Sequence, residues 1–577
     1  LGRITIMAAF DDIKGLTSVI NALNNEDLNG KIEIVQRIRK LIEDNMSYQT
    51  EFGEENVFTF LASNITGDID IALVEGTLWA WIRLCRQEIL NKSTMNPKNC
   101  ELSQKHAEVL IQLLAKHYEN EVVSHLISVL IMILCSDSEE RQKILGTGGA
   151  PAAVVQVLKT HGSNPTVTEF ACRAARNLSA DDEVANILIQ EGLGEELNLL
   201  LLHPDHPPHV VEAIVFVIIN LSYEADIAKI LGFYGCASSL VELIPRMMPY
   251  EEVINRILWA LKNLSSLPNN IAILSATTIC ENLIEISKIH RSDPDTVVSL
   301  VWILSNLSST IVNVRKLLSL QFMSHLIELH DYGLNNYQED INFGPIAEAI
   351  VFAIYNMTST AQQLSEPAEP EENDDSEVAE PKTPAEPVKV DEAALAETFA
   401  IKQALGETGA CNLITTYLTR FSIREAMIEA CARAIIKLSN NCNDNRRKFA
   451  QLETVKKLLH AQQCNEDVVE TVFLTWRAIV CLLDEEIASV NHPTAPVHSN
   501  LEQFQQQSTD AIHQINKAMK GYRQFEEIHL IGAQLLIYSG YYSPAKVEEL
   551  ISEGFIDEHY KLKQEINIDS LKDKLGL

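Results

Sequence analysis

The most constraining feature of this 577-residue sequence is a three-residue phrase that returns at a fixed interval. The phrase Asn-Leu-Ser begins every 43 residues, at Asn177, Asn220, Asn263 and Asn306. An Ile-Leu pair keeps the same interval, and so does a glycine, at Gly149, Gly192 and Gly235. Three markers with one period predict a chain of repeated units, each of which buries its apolar surface against its neighbours.

Each unit is predicted to consist of helices. Residues 210–221 (VVEAIVFVIINL) are apolar at helical spacing and contain no Gly or Pro, and the segment ASSLVELIPRM that follows Gly235 and Cys236 is a shorter amphipathic helix. We find no convincing alternation of apolar and polar residues that would predict a strand. Helical repeats of about 40–47 residues are typical of the HEAT and armadillo classes.

The order of features within one unit resembles the armadillo repeat. A short helix ends in Ile-Leu, a glycine turn and a second helix follow, and a long third helix ends in Asn-Leu-Ser. The resemblance covers most of residues 60–490. It implies an all-α fold, a right-handed armadillo-repeat superhelical solenoid of about ten three-helix repeats.

Composition divides the chain further. The stretch 365–392 holds eleven acidic residues, two Lys and five Pro, so we expect a disordered acidic loop that cannot bury enough apolar surface to fold. The Gln-rich stretch near 503 predicts a second loop. The predicted segments are an N-terminal extension (1–16), armadillo repeats (17–364), the acidic loop (365–393), further repeats (394–490), a polar Gln-rich loop (491–515) and a C-terminal helical capping repeat (516–577).

The net charge of −33 bears on the class of partner. Nucleic acid and anionic membranes bind basic surfaces, so neither is expected here, and a basic protein segment is the partner that charge favours. The longest purely apolar run, at 126–135, is too short to span a bilayer. Most of the eleven cysteines lie in apolar helical stretches, which indicates buried, reduced thiols in the cytoplasm or the nucleus.

One face of the predicted third helices carries aromatic and polar residues, because residues four apart share a helix face. In the helix at 253–264 this stripe holds Asn255, Trp259 and Asn263. In the next unit it is predicted to hold Ser299, Trp302, Ser305 and Asn306. The matching positions elsewhere are Glu169-Arg173-Asn177, Glu212-Phe216-Asn220 and Glu348-Phe352-Asn356.

This stripe could bind a peptide. A ladder of asparagine amides, each both donor and acceptor, could hold an extended main chain, and the Trp rings offer flat walls to Lys or Arg side chains. The pairs Trp259/Asn263 and Trp302/Asn306 resemble the motif with which importin-alpha grips basic nuclear-localisation peptides in a concave groove. The structural alternative is that the asparagines bond backbone within the solenoid.

The sequence thus predicts a non-enzymatic scaffold or adaptor that binds an extended, basic protein segment. Two alternatives stay open: an importin-alpha-like nuclear import receptor, and an armadillo regulator of small GTPases, chaperones or the cytoskeleton. The predicted groove residues are Trp259, Asn263, Trp302, Asn306, Phe216, Asn220, Phe352, Asn356 and Asn177, with Glu169, Glu212 and Glu348 as acidic contacts.

No catalytic motif is recognisable, so no enzyme activity, cofactor or metal site is predicted. The histidine-rich segment HPDHPPH places His203, His206 and His209 at three-residue spacing. Because it lies in a Pro-rich turn with no second ligand cluster nearby, we expect a solvated loop and not a zinc site.

Overall fold

The structure is a computed structural model. It describes residues 28–44, 55–65, 70–89, 92–136, 138–363, 392–489, 500–555, 563 and 567–575. The chain divides into two compact units, Leu1–Thr278 and Ile279–Leu577. The predicted extension at 1–16 and residues 365–391 of the predicted acidic loop lie outside the described residues.

The described part of the first unit is helical apart from one hairpin. Its elements are α1 (Leu28–Asp44), α2 (Glu55–Ser63), α3 (Ile71–Cys85), β1 (Arg86–Ile89), β2 (Lys92–Met95), α4 (Pro97–Gln104), α5 (Ala107–His117), α6 (Glu121–Leu134), α7 (Glu139–Thr147), α8 (Ala150–His161), α9 (Pro165–Leu178), α10 (Asp182–Gln190), α11 (Leu193–Leu202), α12 (Pro208–Leu221), α13 (Ala225–Phe233), α14 (Cys236–Met247), α15 (Glu251–Leu264) and α16 (Pro268–Ser275).

The described part of the second unit is also helical and contains one π-helical turn, Glu339–Phe343. Its α-helices are α17 (Ile279–Ile289), α18 (Pro294–Leu307), α19 (Ile311–Ser319), α20 (Phe322–Asn336), α21 (Gly344–Gln363), α22 (Glu392–Glu407), α23 (Ala410–Arg420), α24 (Glu425–Ser439), α25 (Asn443–Gln451), α26 (Thr454–Cys464), α27 (Val469–Ser489), α28 (Asn500–Gln506), α29 (Ser508–Gly521), α30 (Glu526–Tyr538), α31 (Pro544–Ser552) and α32 (Ile568–Leu575).

The third helix of each repeat packs on the third helix of the next. In the first unit α3, α6, α9, α12 and α15 contact one another in this order, and in the second unit α18, α21, α24, α27 and α30 do the same. Their apolar residues are buried; in α12, for example, Ile214, Val217 and Ile218 are all fully buried. Each unit is therefore a stack of three-helix repeats with a continuous apolar interior, which is the architecture of a solenoid.

The periodic glycines begin the second helix of each repeat. Gly149, Gly192 and Gly235 precede α8, α11 and α14 with φ of 102°, 92° and 94°. Glycine adopts this left-handed conformation without a Cβ clash, so it suits the sharp turn between the first and second helices. In two later repeats that lack this glycine, Gln321 and Glu453 occupy the same place with φ of 53° and 54°.

A second set of asparagines, which sequence analysis did not identify, ties consecutive helices together. Asn270 in α16 is fully buried and donates from Nδ2 to the carbonyl of Leu264, at the end of α15, at 3.0 Å. Asn500 donates instead to Leu482, in the interior of α27. The other members that donate to the last turn of the third helix before them are Asn99, Asn313 and Asn445. These bonds satisfy carbonyl groups that a helix end leaves without an intrahelical partner.

Two elements differ from the sequence-based expectation. The strands β1 and β2 pair antiparallel between α3 and α4, with Arg86 opposite Met95. They were not predicted because four polar-rich residues per strand give no clear alternation. The predicted loop at 491–515 is wrong from residue 500 onward, where α28 and α29 form because Phe504, Ala511 and Ile515 bury one helical face.

The C-terminal part of the second unit has its own small core. Helices α30, α31 and α32 bring together the buried residues Ala533, Ile537, Val547, Leu550 and Leu571. Among the described residues no single helix is both long and apolar enough to cross a bilayer; α13 and α14, bent by 70°, meet the length and composition criterion only as a pair.

Candidate ligand-binding surfaces on the third helices

In the first unit, the exposed edge of α12 is the stripe that the spacing predicted. Glu212, Phe216 and Asn220 are half-buried, whereas the residues between them are buried. On α15 the stripe again holds Trp259 and Asn263, both half-buried. It also carries two cations, Arg256 and Lys262, that the sequence analysis did not count as site residues.

In the second unit the predicted stripe of α18 is partly wrong. Ser299 and Ser305 are buried, at 8% and 1% exposure, and Val298 is half-buried beside Trp302 and Asn306. Strict four-residue spacing, 298–302–306, describes the exposed edge better than the polarity of the side chains does. Oγ of Ser305 accepts a hydrogen bond from Nδ2 of Asn356 at 3.1 Å, which gives this buried hydroxyl a partner.

The asparagines of the stripe donate hydrogen bonds to the preceding third helix. Nδ2 of Asn220 lies 3.0 Å from the carbonyl oxygen of Arg176, and Nδ2 of Asn356 lies 2.9 Å from that of Ser305. Nδ2 of Asn263 lies 3.1 Å from Oγ of Ser222. A carbonyl oxygen can accept a hydrogen bond only from the amide nitrogen of an asparagine and not from its oxygen. The Nδ2 groups of these asparagines therefore bind neighbouring repeats of the solenoid and are not available to a ligand.

The asparagines therefore cannot grip a peptide in two directions, as the sequence suggested. Within the described residues, Oδ1 of Asn220, Asn263 and Asn356 accepts no hydrogen bond, so each can still accept one from a ligand. The structural alternative, in which the asparagines bond backbone within the solenoid, is confirmed for Asn220 and Asn356. Asn263 bonds the hydroxyl of Ser222, and its Nδ2 lies 3.5 Å from the carbonyl oxygen of Ile219.

Asn177 is wrong as a ligand-contact prediction. It is 9% exposed, and its Nδ2 donates to the carbonyl of Met132 at 2.8 Å. Its Oδ1 accepts from Nη2 of Arg176 at 3.1 Å. Both ends of the amide are thus used, and Asn177 joins α9 to α6 instead of facing a ligand.

The aromatic rings of the first unit already have cations over them. The guanidinium carbons of Arg176 and Arg256 lie 5.2 and 4.7 Å from the centroid of Phe216. Arg256 and Nζ of Lys262 each lie 5.9 Å from the centroid of Trp259. These distances are within the range of cation–π attraction, so the rings of Phe216 and Trp259 already bind cations of the protein itself.

The predicted acidic contacts of the first unit are also paired. Glu169 lies 2.8 Å from Arg173 and 3.7 Å from His209, and Glu212 lies 3.9 Å from Arg256. Burial lowers the pKa of Lys262 and of Arg176, the latter with help from Arg173. The stripes of α9, α12 and α15 are therefore partly buried, and they carry more cations than carboxylates.

The second unit is different. The rings of Trp302 and Phe352 lie 5.5 Å apart, tilted by 32°. Among the described residues no cation lies over either ring, and Glu348, half-buried one turn before Phe352, has no ion pair. This aromatic pair and its carboxylate, which we call the Trp302 surface, are available to a ligand.

The histidine-rich turn is solvated only in part: Pro204, Asp205 and His209 are exposed, as expected, but His206 is not. His206 is only 3% exposed and stacks on His203 with ring centroids 4.4 Å apart. Burial, with His203 and Arg246 nearby, lowers the pKa of His206 to about 4. The described residues contain no group of three potential metal ligands.

The cations on Trp259 could have been found from sequence, because Arg256 and Lys262 lie three residues to either side of it and so share its face. The contact of Arg176 with Phe216 could not, since the two residues belong to different repeats.

Comparisons with known proteins bear on the fold. No family model and no curated protein sequence matches this chain. An engineered protein of solved structure is 16% identical, has a TM-score of 0.61, and covers 81% of this chain and 98% of its own. A second solved structure comes from work on a conserved phosphorylation switch that controls the interaction between cadherin and beta-catenin. It is 14% identical to this chain and has a TM-score of 0.60. The match covers 97% of this chain and 100% of the other. The fold is an all-α solenoid of armadillo-like helical repeats.

Proposed function

We propose that this protein is a non-enzymatic scaffold that binds another protein through the third helices of its repeats. Consecutive third helices in each unit carry half-buried aromatic and amide side chains, which are suited to hold an extended segment. The solved structure that covers most of this chain comes from work on a protein–protein interaction, which supports the same use of this fold here.

The ligand that this proposal assigns to the second unit is an extended basic segment. The observation that carries it is the Trp302 surface, where two aromatic rings without a cation of their own lie beside Glu348. A Lys or Arg stem can lie against these rings while its charge faces the carboxylate. Asn356 can accept one main-chain hydrogen bond nearby through Oδ1.

The importin-alpha-like alternative receives less support. In addition to the pair Trp302 and Asn306, it needs the first unit's pair, Trp259 and Asn263, to receive basic residues. There a basic ligand would have to displace Arg256 and Lys262 from the ring of Trp259.

A second candidate ligand, an acidic segment, concerns the first unit alone. Four cations lie on the third-helix stripes of α9, α12 and α15 against two carboxylates; the cations are Arg173, Arg176, Arg256 and Lys262. An acidic side chain could bind between Arg176 and Arg256 without displacing any of these cations.

Titration calorimetry with two extended peptides, one rich in Lys and Arg and one rich in Asp and Glu, tests both ligands on the full chain. We expect Glu348→Gln to weaken the basic peptide several-fold, and Trp302→Ala with Phe352→Ala to weaken it by roughly tenfold or more. Phe233→Ala, an 83% exposed aromatic on a first helix, is the matched control and should leave binding unchanged.

The acidic peptide should respond to Arg256→Gln instead. A basic peptide that does not bind, or that binds the Glu348 and Trp302 variants as it binds the parent, would contradict the assignment of the second unit. Circular dichroism of each variant separates a lost contact from lost folding.

A further inference from the structure

A cavity of about 340 Å³ opens in the second unit, away from the third-helix stripes. It lies between the end of α26, the turn that follows it, and α29. Its polar lining comes from Gln462, Glu466, Asp467, Gln514, Lys517 and Tyr522. Its volume is at the lower end of the range of small-molecule sites, so it can accept a group the size of one side chain.

Two amide oxygens of the lining residues have no hydrogen-bond partner among the residues that the structure describes. Gln462 is only 1% exposed, and its Oε1 accepts no hydrogen bond from the described residues. Oε1 of Gln514 is also buried without a donor there. A buried acceptor without a donor is costly, so a rotation of either side chain that turned its oxygen toward a donor in the cavity would be favourable.

The cavity is lined by two carboxylates, Glu466 and Asp467, and by one cation, Lys517. Glu466 and Asp467 adjoin Tyr522, whose hydroxyl donates to the carbonyl oxygen of Glu466 at 2.8 Å. The pKa of Tyr522 is raised, first by burial and then by these two carboxylates. A ligand that donates hydrogen bonds and carries a positive charge would therefore complement these carboxylates and amide oxygens.

We propose that this cavity binds one small organic cation, a guanidinium or primary ammonium group. An ammonium group of the protein already binds one of these carboxylates, because Nζ of Lys517 lies 2.6 Å from the carboxylate of Glu466. The two side chains are 60% and 42% exposed, and an ion pair so exposed contributes little to stability, so an incoming cation can replace Lys517.

A metal ion is the poorer occupant. No group of three potential metal-ligating His, Cys, Asp or Glu side chains occurs in the described part of the chain, and only two carboxylates line this cavity. The volume is also far larger than one ion needs. The ring of Tyr522 and the methyl group of Ala518 offer apolar contact, which suits the alkyl stem of an organic cation.

The site is tested on the full chain by calorimetric titration with N-acetyl-arginine methylamide, with neutral N-acetyl-citrulline methylamide as the isosteric control. We expect the arginine compound alone to bind, and Glu466→Gln with Asp467→Asn to weaken it by roughly tenfold or more. Lys517→Met should strengthen binding roughly two- to fivefold, because it removes the internal competitor. Lys520→Met, an exposed lysine of the same helix, should change nothing.

Three results would overturn the proposal: no binding of the arginine compound to either the parent or Lys517→Met, binding that the two carboxylate substitutions leave intact, or binding of calcium alone. A gain of affinity in Lys517→Met cannot arise from misfolding, so it separates the site from a purely structural cluster. Agmatine and a pentapeptide with one central Arg then distinguish a free amine from a partner's side chain, according to which of them binds more tightly.

Discussion

At the scale of the residue, the sequence predicts the position of the recurring asparagine correctly but does not predict its hydrogen-bond partner. The period located Asn220, Asn263 and Asn356 at the exposed edge of their helices. It could not reveal the acceptors, because each lies about one repeat earlier: Asn220 donates to the carbonyl of Arg176. The amide is thus first a link between repeats, and only its oxygen remains for a ligand.

This role predicts a loss of stability. Asn220→Ala removes the hydrogen bond to Arg176, so the free energy of unfolding should fall by about 1 to 2 kcal/mol. Asn186→Ala is the matched control, because Asn186 is exposed and bonds only within its own helix, to Asp182. Urea unfolding followed by circular dichroism measures both. Equal effects of the two substitutions would show that the link between α12 and α9 contributes nothing.

At the scale of the element, the turn between the first and second helices is where sequence and structure agree best. The periodic glycines were identified as turn residues, and each has a positive φ. The structure adds that Gln321 and Glu453 hold this conformation without being glycine. Both side chains are exposed, so neither gains packing in return for the strain.

We therefore expect Gln321→Gly and Glu453→Gly each to raise the free energy of unfolding by about 0.5 to 1 kcal/mol. The relief of left-handed strain should exceed the entropy that glycine loses on folding. Lys456→Gly, on the exposed face inside α26, is the control and should lower stability by about 1 kcal/mol. If thermal unfolding shows all three glycines to be destabilising, these turns are not strained.

The elements that sequence analysis missed are those without the repeat's pattern. The hairpin of β1 and β2 follows α3 and lengthens the interval between repeats there, and the π-turn at Glu339–Phe343 does so before α21. The Gln-rich helices were judged by their polar residues, although Phe504 and Ile515 are fully buried. Deviations from a period become visible only when the packing around them is known.

At the scale of the whole chain, composition was a poor guide to local surfaces. A net charge of −33 suggested a basic ligand throughout, yet the stripes of the first unit gather arginines around Phe216. Side chains from neighbouring repeats meet there, 40 residues apart in sequence, so only the fold shows that these rings are occupied. No such cation reaches the Trp302 surface within the described residues, so a basic ligand stays a prediction for that surface alone.

Composition was a better guide to the cysteines, which were predicted to be buried thiols. All eleven lie in the described residues: nine are buried, Cys481 is half-buried and only Cys464 is exposed. Burial raises the pKa of the Cys280 thiol to about 11 and that of Cys135 and Cys236 to about 12, so their reactive thiolate is scarce at neutral pH.

The native protein should therefore show one fast-reacting thiol with a coloured disulfide reagent, and all eleven after unfolding in guanidinium chloride. Cys464→Ser should abolish the fast phase, whereas Cys481→Ser should leave it unchanged and remove a slow reaction at most. The count reports on the repeats that contain cysteines, because opening of any of these would expose a buried thiol. Several fast thiols in the native state, or a fast phase that survives Cys464→Ser, would contradict the closed packing of the repeats.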